Sequence, residues 1–334
     1  MFMQKSLNIP ALTAGISLIA ALSARAQNVA SESFNYAPGS SVIATEGTGG
    51  TGWGFAWNSK TDPSSNPTAG YSLSQIAAGS LSYTDTSGNT LTTSGGSLVS
   101  SAGTSTTTAQ PERALSSTFG ALAAANTAAP GTIWVSYLWQ GLNTTGSGSG
   151  LYRQSIMMFI TGAGSGVGSG SERLDIGMPN ISAVTQVTNN PNISLWTSGG
   201  ISGGNTYSST GPLQSTVAAN NGATDFILAE FVVDNSATTA DTVKVWIDPT
   251  LTGTTPAGSP DLTYSSQDLS AINGIRIQSG GLNATYGSVG GEQQVDEINI
   301  GDTVFDVEPV PEPASMALAA LGGLALLALK RKQP

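Results

Sequence analysis

The sequence predicts an all-β chain: an antiparallel β-sandwich body set between two short apolar ends. Three observations carry that expectation. Short runs in which apolar and polar residues alternate are separated throughout by Gly, Ser, Thr, Asn and Pro, the pattern of strands and turns. Only one stretch has the composition of a helix, and no self-similarity with a period of 20–50 residues is visible, which disfavours a solenoid or a propeller. The length of 334 residues, 39% of them hydrophobic, is enough for one large β domain with a sizeable core.

The first segment has a cation at Lys5, an apolar run from Ile9 to Leu22 and the small-x-small pattern Ala24-Arg25-Ala26. That is the three-part layout of a secretory signal peptide, with an N-terminal signal helix and cleavage expected after Ala26. Residues 1–26 are therefore set apart from a body running over 27–307.

Within the body, "RLDIGM" directs Leu174, Ile176 and Met178 to one side and Arg173 and Asp175 to the other. "TVKVWID" alternates Val243, Val245 and Ile247 with Thr242, Lys244 and Trp246, "GIRIQ" alternates Ile275 and Ile277 with Arg276 and Gln278, and "LSYT" alternates Leu81 and Tyr83 with Ser82 and Thr84. These read as half-buried strands. "TIWVSYLW" (132–139), "SIMMFI" (155–160) and "DFILAEFVVD" (225–234) are apolar on both faces and belong in the middle of a sandwich, with Trp134 and Trp139 in the core. "FVVDNSATTADTVKVWIDP" reads as a hairpin: Phe231–Val233 rising, a polar turn from Asp234 to Asp241, and Val243–Ile247 returning. The helix candidate is "PERALSSTFGALAAAN" (111–126), opened by Pro111 and Glu112 in favoured first-turn positions and interrupted by Gly120.

The last segment begins with Pro311-Glu312-Pro313, whose prolines hold the backbone extended. Ala314–Leu329 then offers sixteen apolar or small residues, about 24 Å of helix, a transmembrane helix slightly shorter than a bilayer core. Gly322 and Gly323 would permit close helix approach, and Lys330, Arg331 and Lys332 supply a cytoplasmic stop. In that order these features, residues 308–334, resemble the PEP-CTERM sorting signal of Gram-negative bacteria. The resemblance implies an exosortase-type membrane transpeptidase as partner, transient anchoring in the inner membrane, processing near Pro311–Pro313, and delivery of the body to the cell surface or to extracellular polysaccharide.

"ESFNYAPGSSV", "GGTGWGFAW", "WVSYLWQG", the hairpin sequence and "VDEINIGD" make the body similar to the concanavalin-like, laminin-G-like jelly rolls. That resemblance implies that the first and last strands pair, Phe34–Tyr36 lying beside Val295–Ile300.

Composition narrows the chemistry. With neither cysteine nor histidine in the chain, disulfides, thiolate metal sites, Cys nucleophiles and the usual near-neutral general base are excluded. Residues 27–310 carry six basic residues (Lys60, Arg113, Arg153, Arg173, Lys244, Arg276) against twenty acidic ones, a balance of minus 14 that repels nucleic acid. Catalysis would fall to carboxylates, and glycoside hydrolysis needs two of them flanking one bond. Asp296 and Glu297 are adjacent and expected on opposite faces of a strand, and Asp225 and Glu230 likewise face apart, so the sequence offers no pair and the chain reads as a non-enzyme, with a divergent glycoside hydrolase as the alternative. No cofactor is called for. Calcium could draw oxygen ligands from Asp234, Asn235 and Asp241 in the hairpin turn, or from Asp296 and Asp302 near the end, where the plainer reading is solvated turn residues. Trp53, Phe55 and Trp57 alternate with small residues and place three rings on one face, either as core or as a platform for sugar rings in a carbohydrate-binding or adhesion module.

Overall fold

Alternation of side chains across extended backbone sorts this chain into two sheets. The computed structural model describes residues 28–41, 47–59, 74–100, 110–126, 131–142, 155–164, 171–178, 192–197, 213–218, 223–234, 239–279 and 292–308. In chain order the elements are β1 (Asn28–Glu32), β2 (Asn58–Ser59), β3 (Ser74–Ala77), β4 (Ser97–Ser100), β5 (Pro111–Ala114), α1 (Phe119–Ala125), β6 (Thr132–Gly141), β7 (Ser155–Thr161), β8 (Ser171–Met178), β9 (Asn192–Thr197), β10 (Leu213–Ala218), β11 (Thr224–Val232), β12 (Asp241–Ile247), β13 (Leu262–Gln267), β14 (Ile272–Ser279), β15 (Gln293–Gly301) and α2 (Val304–Val307). Sheet one runs β13-β12-β11-β6-β15-β4-β3 with β1 also on β15, and sheet two runs β10-β9-β8-β7-β14-β5-β2. Each of these pairings is antiparallel, as expected of a sandwich.

The core lies between the sheets. Ile133, Val135, Tyr137 and Trp139 of β6 and Ile227, Ala229 and Phe231 of β11 meet Met157 and Phe159 of β7 and Ile275 and Ile277 of β14. Phe231 packs on Phe119 of α1 at 5.0 Å edge to face and on Phe159 at 4.9 Å between ring centres. The runs that are apolar on both faces have a second explanation besides their central position. The outer face of sheet one is roofed: Trp134, Leu138, Phe226, Leu228 and Trp246 are covered by Leu81, Tyr83, Leu91, Leu251, Val304 and Val307. Trp134 and Trp246 stack at 5.8 Å in this second layer.

Several expectations shift. The hairpin forms as β11 and β12, with Phe231 opposite Val243. "LSYT" keeps its inward-facing Leu81 and Tyr83, but it is part of the roof, tied by the isolated bridge Thr84–Thr90, because it crosses sheet one without joining it. Pro111 and Glu112 open strand β5 instead of a helix, since "PERA" pairs in register with β14 through Glu112, Arg113 and Ala114. The helix begins eight residues later, where the Thr118 hydroxyl accepts from the amide of Ala121 at 3.2 Å. The first and last strands do pair, through Asn28–Glu32 on Ile298–Gly301. Phe34 is not in that ladder: its φ of 48° turns the chain away, and its amide donates to Glu32 Oε1 at 2.8 Å.

β15 is bulged just after Asp296, where Glu297 and Ile298 together oppose Tyr137 of β6 and Glu297 takes a φ of 47°. Across this bulge the two carboxyls reach one and the same connecting segment. Asp296 accepts from the Leu81 amide at 2.8 Å and Glu297 accepts from the Ser94 amide, so both carboxyls fasten the same roof segment. Burial, reinforced by the neighbouring Glu297, pushes Asp296 up to about 8.

The two sheets are joined inside the sandwich by charge. Glu32 of β1 and Arg113 of β5 form a buried ion pair. The same carboxylate accepts from the Trp57 indole at 3.0 Å and the Tyr36 hydroxyl at 2.9 Å. Arg113 also donates to the carbonyls of Phe55 at 3.1 Å and Gly49 at 2.6 Å, and lies 4.9 Å from the Trp53 ring centre. The glycine-rich segment before Trp53 wraps β1 so closely that a Cβ on Gly52, whose φ is 77°, would strike the Val29 carbonyl.

Two outcomes follow from this packing. Breaking the buried pair leaves an uncompensated charge, so Glu32→Gln and Arg113→Met should each cost about 3–5 kcal/mol in urea unfolding. The double variant should cost clearly less than the sum, and strict additivity would show that the two groups act independently. Second, the unfolded chain releases the Asp296 proton near 3.8 and the folded chain near 8. Between those values the folded state holds the extra proton, so stability from this group falls as pH rises, by at most about 1.4 kcal/mol per pH unit. Asp296→Asn should flatten the slope of Tm against pH over that window; an unchanged slope would remove the assignment.

Candidate functional site

Where the body ends decides what the last segment can do. After β15, Thr303 donates from its amide at 2.8 Å and its hydroxyl at 2.7 Å to Asp306 Oδ2, closing the single turn α2. Val304 and Val307 seat that turn in the roof of sheet one. Ser136 of β6 donates from its hydroxyl to the Val307 carbonyl at 2.5 Å. The Glu308 amide donates to the Val304 carbonyl at 2.8 Å, and Glu308 Oε2 accepts from the amides of Thr252 at 3.1 Å and Gly253 at 2.8 Å. Glu308 is 0% exposed, and burial pushes its carboxyl up to about 7. The folded body thus includes Glu308, one residue past the boundary expected from sequence.

Pro311, Glu312 and Pro313, the 314–329 segment, Lys330, Arg331 and Lys332 lie outside the described residues, as do Ala24 and Ala26. No helix among the described residues is long and apolar enough to cross a membrane.

The aromatic trio is not one platform. Trp57 is 1% exposed and stacks on Phe34 at 5.7 Å, as core. Trp53 is half-buried, with its indole donating to the Ser31 carbonyl at 2.8 Å. Only Phe55, 47% exposed, stands clear, because the segment bends around Arg113 and is not a regular strand.

The calcium candidates serve the backbone. Asp241 accepts from the amides of Asp234 at 2.8 Å and Leu269 at 2.6 Å, fixing both ends of its loop. Asp296 lies within β15 and Asp302 just past its end, roughly 17–20 Å apart along extended backbone. Asn235 lies outside the described residues. Among the described residues no three Asp or Glu are grouped as metal ligands.

The face that sequence reasoning missed is the outer side of sheet two. Asp175 of β8, Met158 of β7, Arg276 of β14, Glu112 of β5 and Asn58 of β2 fall in one cross-strand row. Glu112 Oε2 accepts from Arg276 Nε at 3.0 Å and Nη2 at 2.5 Å, with both side chains buried. Alternation alone assigns Arg276 to solvent. Its burial is legible only once β5 is known to pair with β14. Asp175 and Glu112 stand three strand spacings apart, about 14 Å between backbones, wider than the 5–10 Å separation that glycoside hydrolysis uses. Elsewhere Asp225 and Glu230 face apart as expected, with Glu230 2.7 Å from Lys244. Asp248, at a φ of 53°, accepts from the Phe226 amide at 2.8 Å and is raised by burial, partly offset by that amide and by a hydrogen bond with Asp225.

Among solved structures the chain is similar to an endo-β-1,4-glucuronan lyase from the fungus Trichoderma reesei, at 12% identity and a TM-score of 0.39, over 70% of this chain and 92% of that one. It is also similar to domain 4 of AbnA, an extracellular arabinanase from Geobacillus stearothermophilus, at 13% and 0.38, over 85% and 99%. A third is lectin II from Ulex europaeus, at 14% and 0.32, over 64% and 89%. The sandwich assignment stands on the sheet topology and not on these likenesses. No curated protein matches the chain. Residues 309–332 match the PEP-CTERM protein-sorting motif, beginning at the residue that follows the buried Glu308. The chain accordingly carries a PEP-CTERM protein-sorting motif over residues 309–332, directly behind a β-sandwich body.

Proposed function

We propose that this chain is a cell-surface or extracellular-matrix protein whose sandwich is non-catalytic cargo, associated with extracellular polysaccharide once its tail has been removed. The motif implies an exported chain, processed by an exosortase-type membrane enzyme. The observation that carries the reading is the direct succession of a fully buried Glu308 and a sorting motif starting at residue 309. The body's buried carboxyls also support it. Glu32, Asp85, Asp241, Asp296 and Glu308 each hold backbone amides of the fold, the work of cross-links and not of a free acid and base in a groove.

A second reading, a carbohydrate-binding or adhesion module, is favoured by one observation: the Phe55 ring, two residues from the half-buried Trp53, is 47% exposed, and exposed aromatic rings are surfaces that sugars stack on.

Pro311→Ala with Glu312→Ala should abolish processing in the producing cell, leaving a body that still carries the mass of its tail; a product of unchanged mass and location would overturn the sorting reading. Phe55→Ala should weaken retention on an array of acidic and neutral glycans with no change in circular dichroism, if the second reading holds; undiminished binding would remove it.

A further inference from the structure

Geometry sets a limit on how the sorting motif can be reached. Three Cα-to-Cα steps separate Glu308 from Pro311, and a fully extended chain covers at most about 11 Å over that span. That is roughly the diameter of one helix with its side chains. Glu308 itself is 0% exposed, so the motif begins one peptide bond from a buried side chain. An extended peptide is recognised largely through its main-chain hydrogen-bonding groups, which must be free for the purpose. The groups just upstream are already engaged: the Val307 carbonyl accepts from Ser136 Oγ, and the Glu308 amide donates to the Val304 carbonyl.

The element in the way is built to come off. α2 is a single turn of four residues, shorter than a self-sustaining helix. Phe305 is 45% exposed, and the turn's apolar anchors are Val304 and Val307. Its polar anchors are the Ser136 hydroxyl and the amides of Thr252 and Gly253, while Glu308 Oε1 has no hydrogen-bond partner. Releasing residues 304–308 uncovers part of the outer layer of sheet one and leaves the core between the sheets closed.

Resting on the sorting reading above, we infer that the processing enzyme grips this chain upstream of Pro311, and that Val304–Glu308 must peel from sheet one before the tail is cut. The latch formed by α2 and Glu308 is therefore both part of the roof and part of the substrate, and its opening sets the rate of processing for a folded body.

The test follows processing of the full chain in the producing cell by pulse labelling and mass. Ser136→Ala lies outside the gripped segment and removes one hydrogen bond from the latch, so it should speed processing about fivefold. A six-residue Gly/Ser spacer inserted between Glu308 and Pro309 keeps every contact of the body. It should speed processing at least as much and make it insensitive to Ser136→Ala. If Pro311→Ala with Glu312→Ala blocks processing while Ser136→Ala and the spacer both run at the parent rate, the latch inference is overturned and sorting stands. If the Pro311 and Glu312 variants also process normally, both readings fall together.

Discussion

The fold depends on a charge pair placed where a sandwich usually puts hydrocarbon. With no cysteine in the chain, no disulfide staples the two sheets together. Glu32 and Arg113 come from different sheets and meet out of water, and each is completed by further hydrogen bonds, as burial of charge demands. The consequences spread outward. Trp57 enters the core because its indole has a carboxylate to reach. The segment 47–57 is drawn across β1 because Arg113 holds two of its carbonyls, and β1 is thereby clamped on the side away from the ladder it forms with β15. The neighbouring Glu112 points the other way and repeats the device with Arg276 on the outer face, so consecutive residues of one short strand carry two buried ion pairs.

Sheet one has no wet broad face over much of its area. The segment 78–96, the loop after β12 and α2 together cover what an antiparallel sheet commonly leaves to solvent. Carboxyls hold that cover down: Asp85 receives the Leu251 amide, Asp296 the Leu81 amide, and Glu308 the amides of Thr252 and Gly253. The residue that immediately precedes the sorting motif is thus part of the roof.

The architecture was legible in the sequence because side-chain alternation is a local property. Val243–Val245–Ile247 and Leu174–Ile176 announce their inner faces without knowledge of any partner. What was not legible depends on partners far along the chain. Asp296 and Glu297 look like unrelated neighbours until both are found to accept amides of the one segment 78–96. Arg276 looks like a solvent-facing residue until β5 brings Glu112 alongside. "PERA" has a good helical opening by residue type, overridden by four buried positions in a ladder. For the site, the sorting motif was readable outright because it is a contiguous signal. The buried Glu308 just before it was not, because nothing local distinguishes a glutamate that ends a domain from one that begins a linker.

β15 has a timing consequence for a chain that leaves the cell. Among the described residues it is the last strand in sequence, yet β1, β4 and β6 all pair with it, so the middle of sheet one cannot zip until nearly the whole body is available. Pairings of such long sequence separation close slowly. A translocating chain of this design stays threadable until its end emerges, and it becomes a rigid particle only once the segment nearest the membrane has arrived.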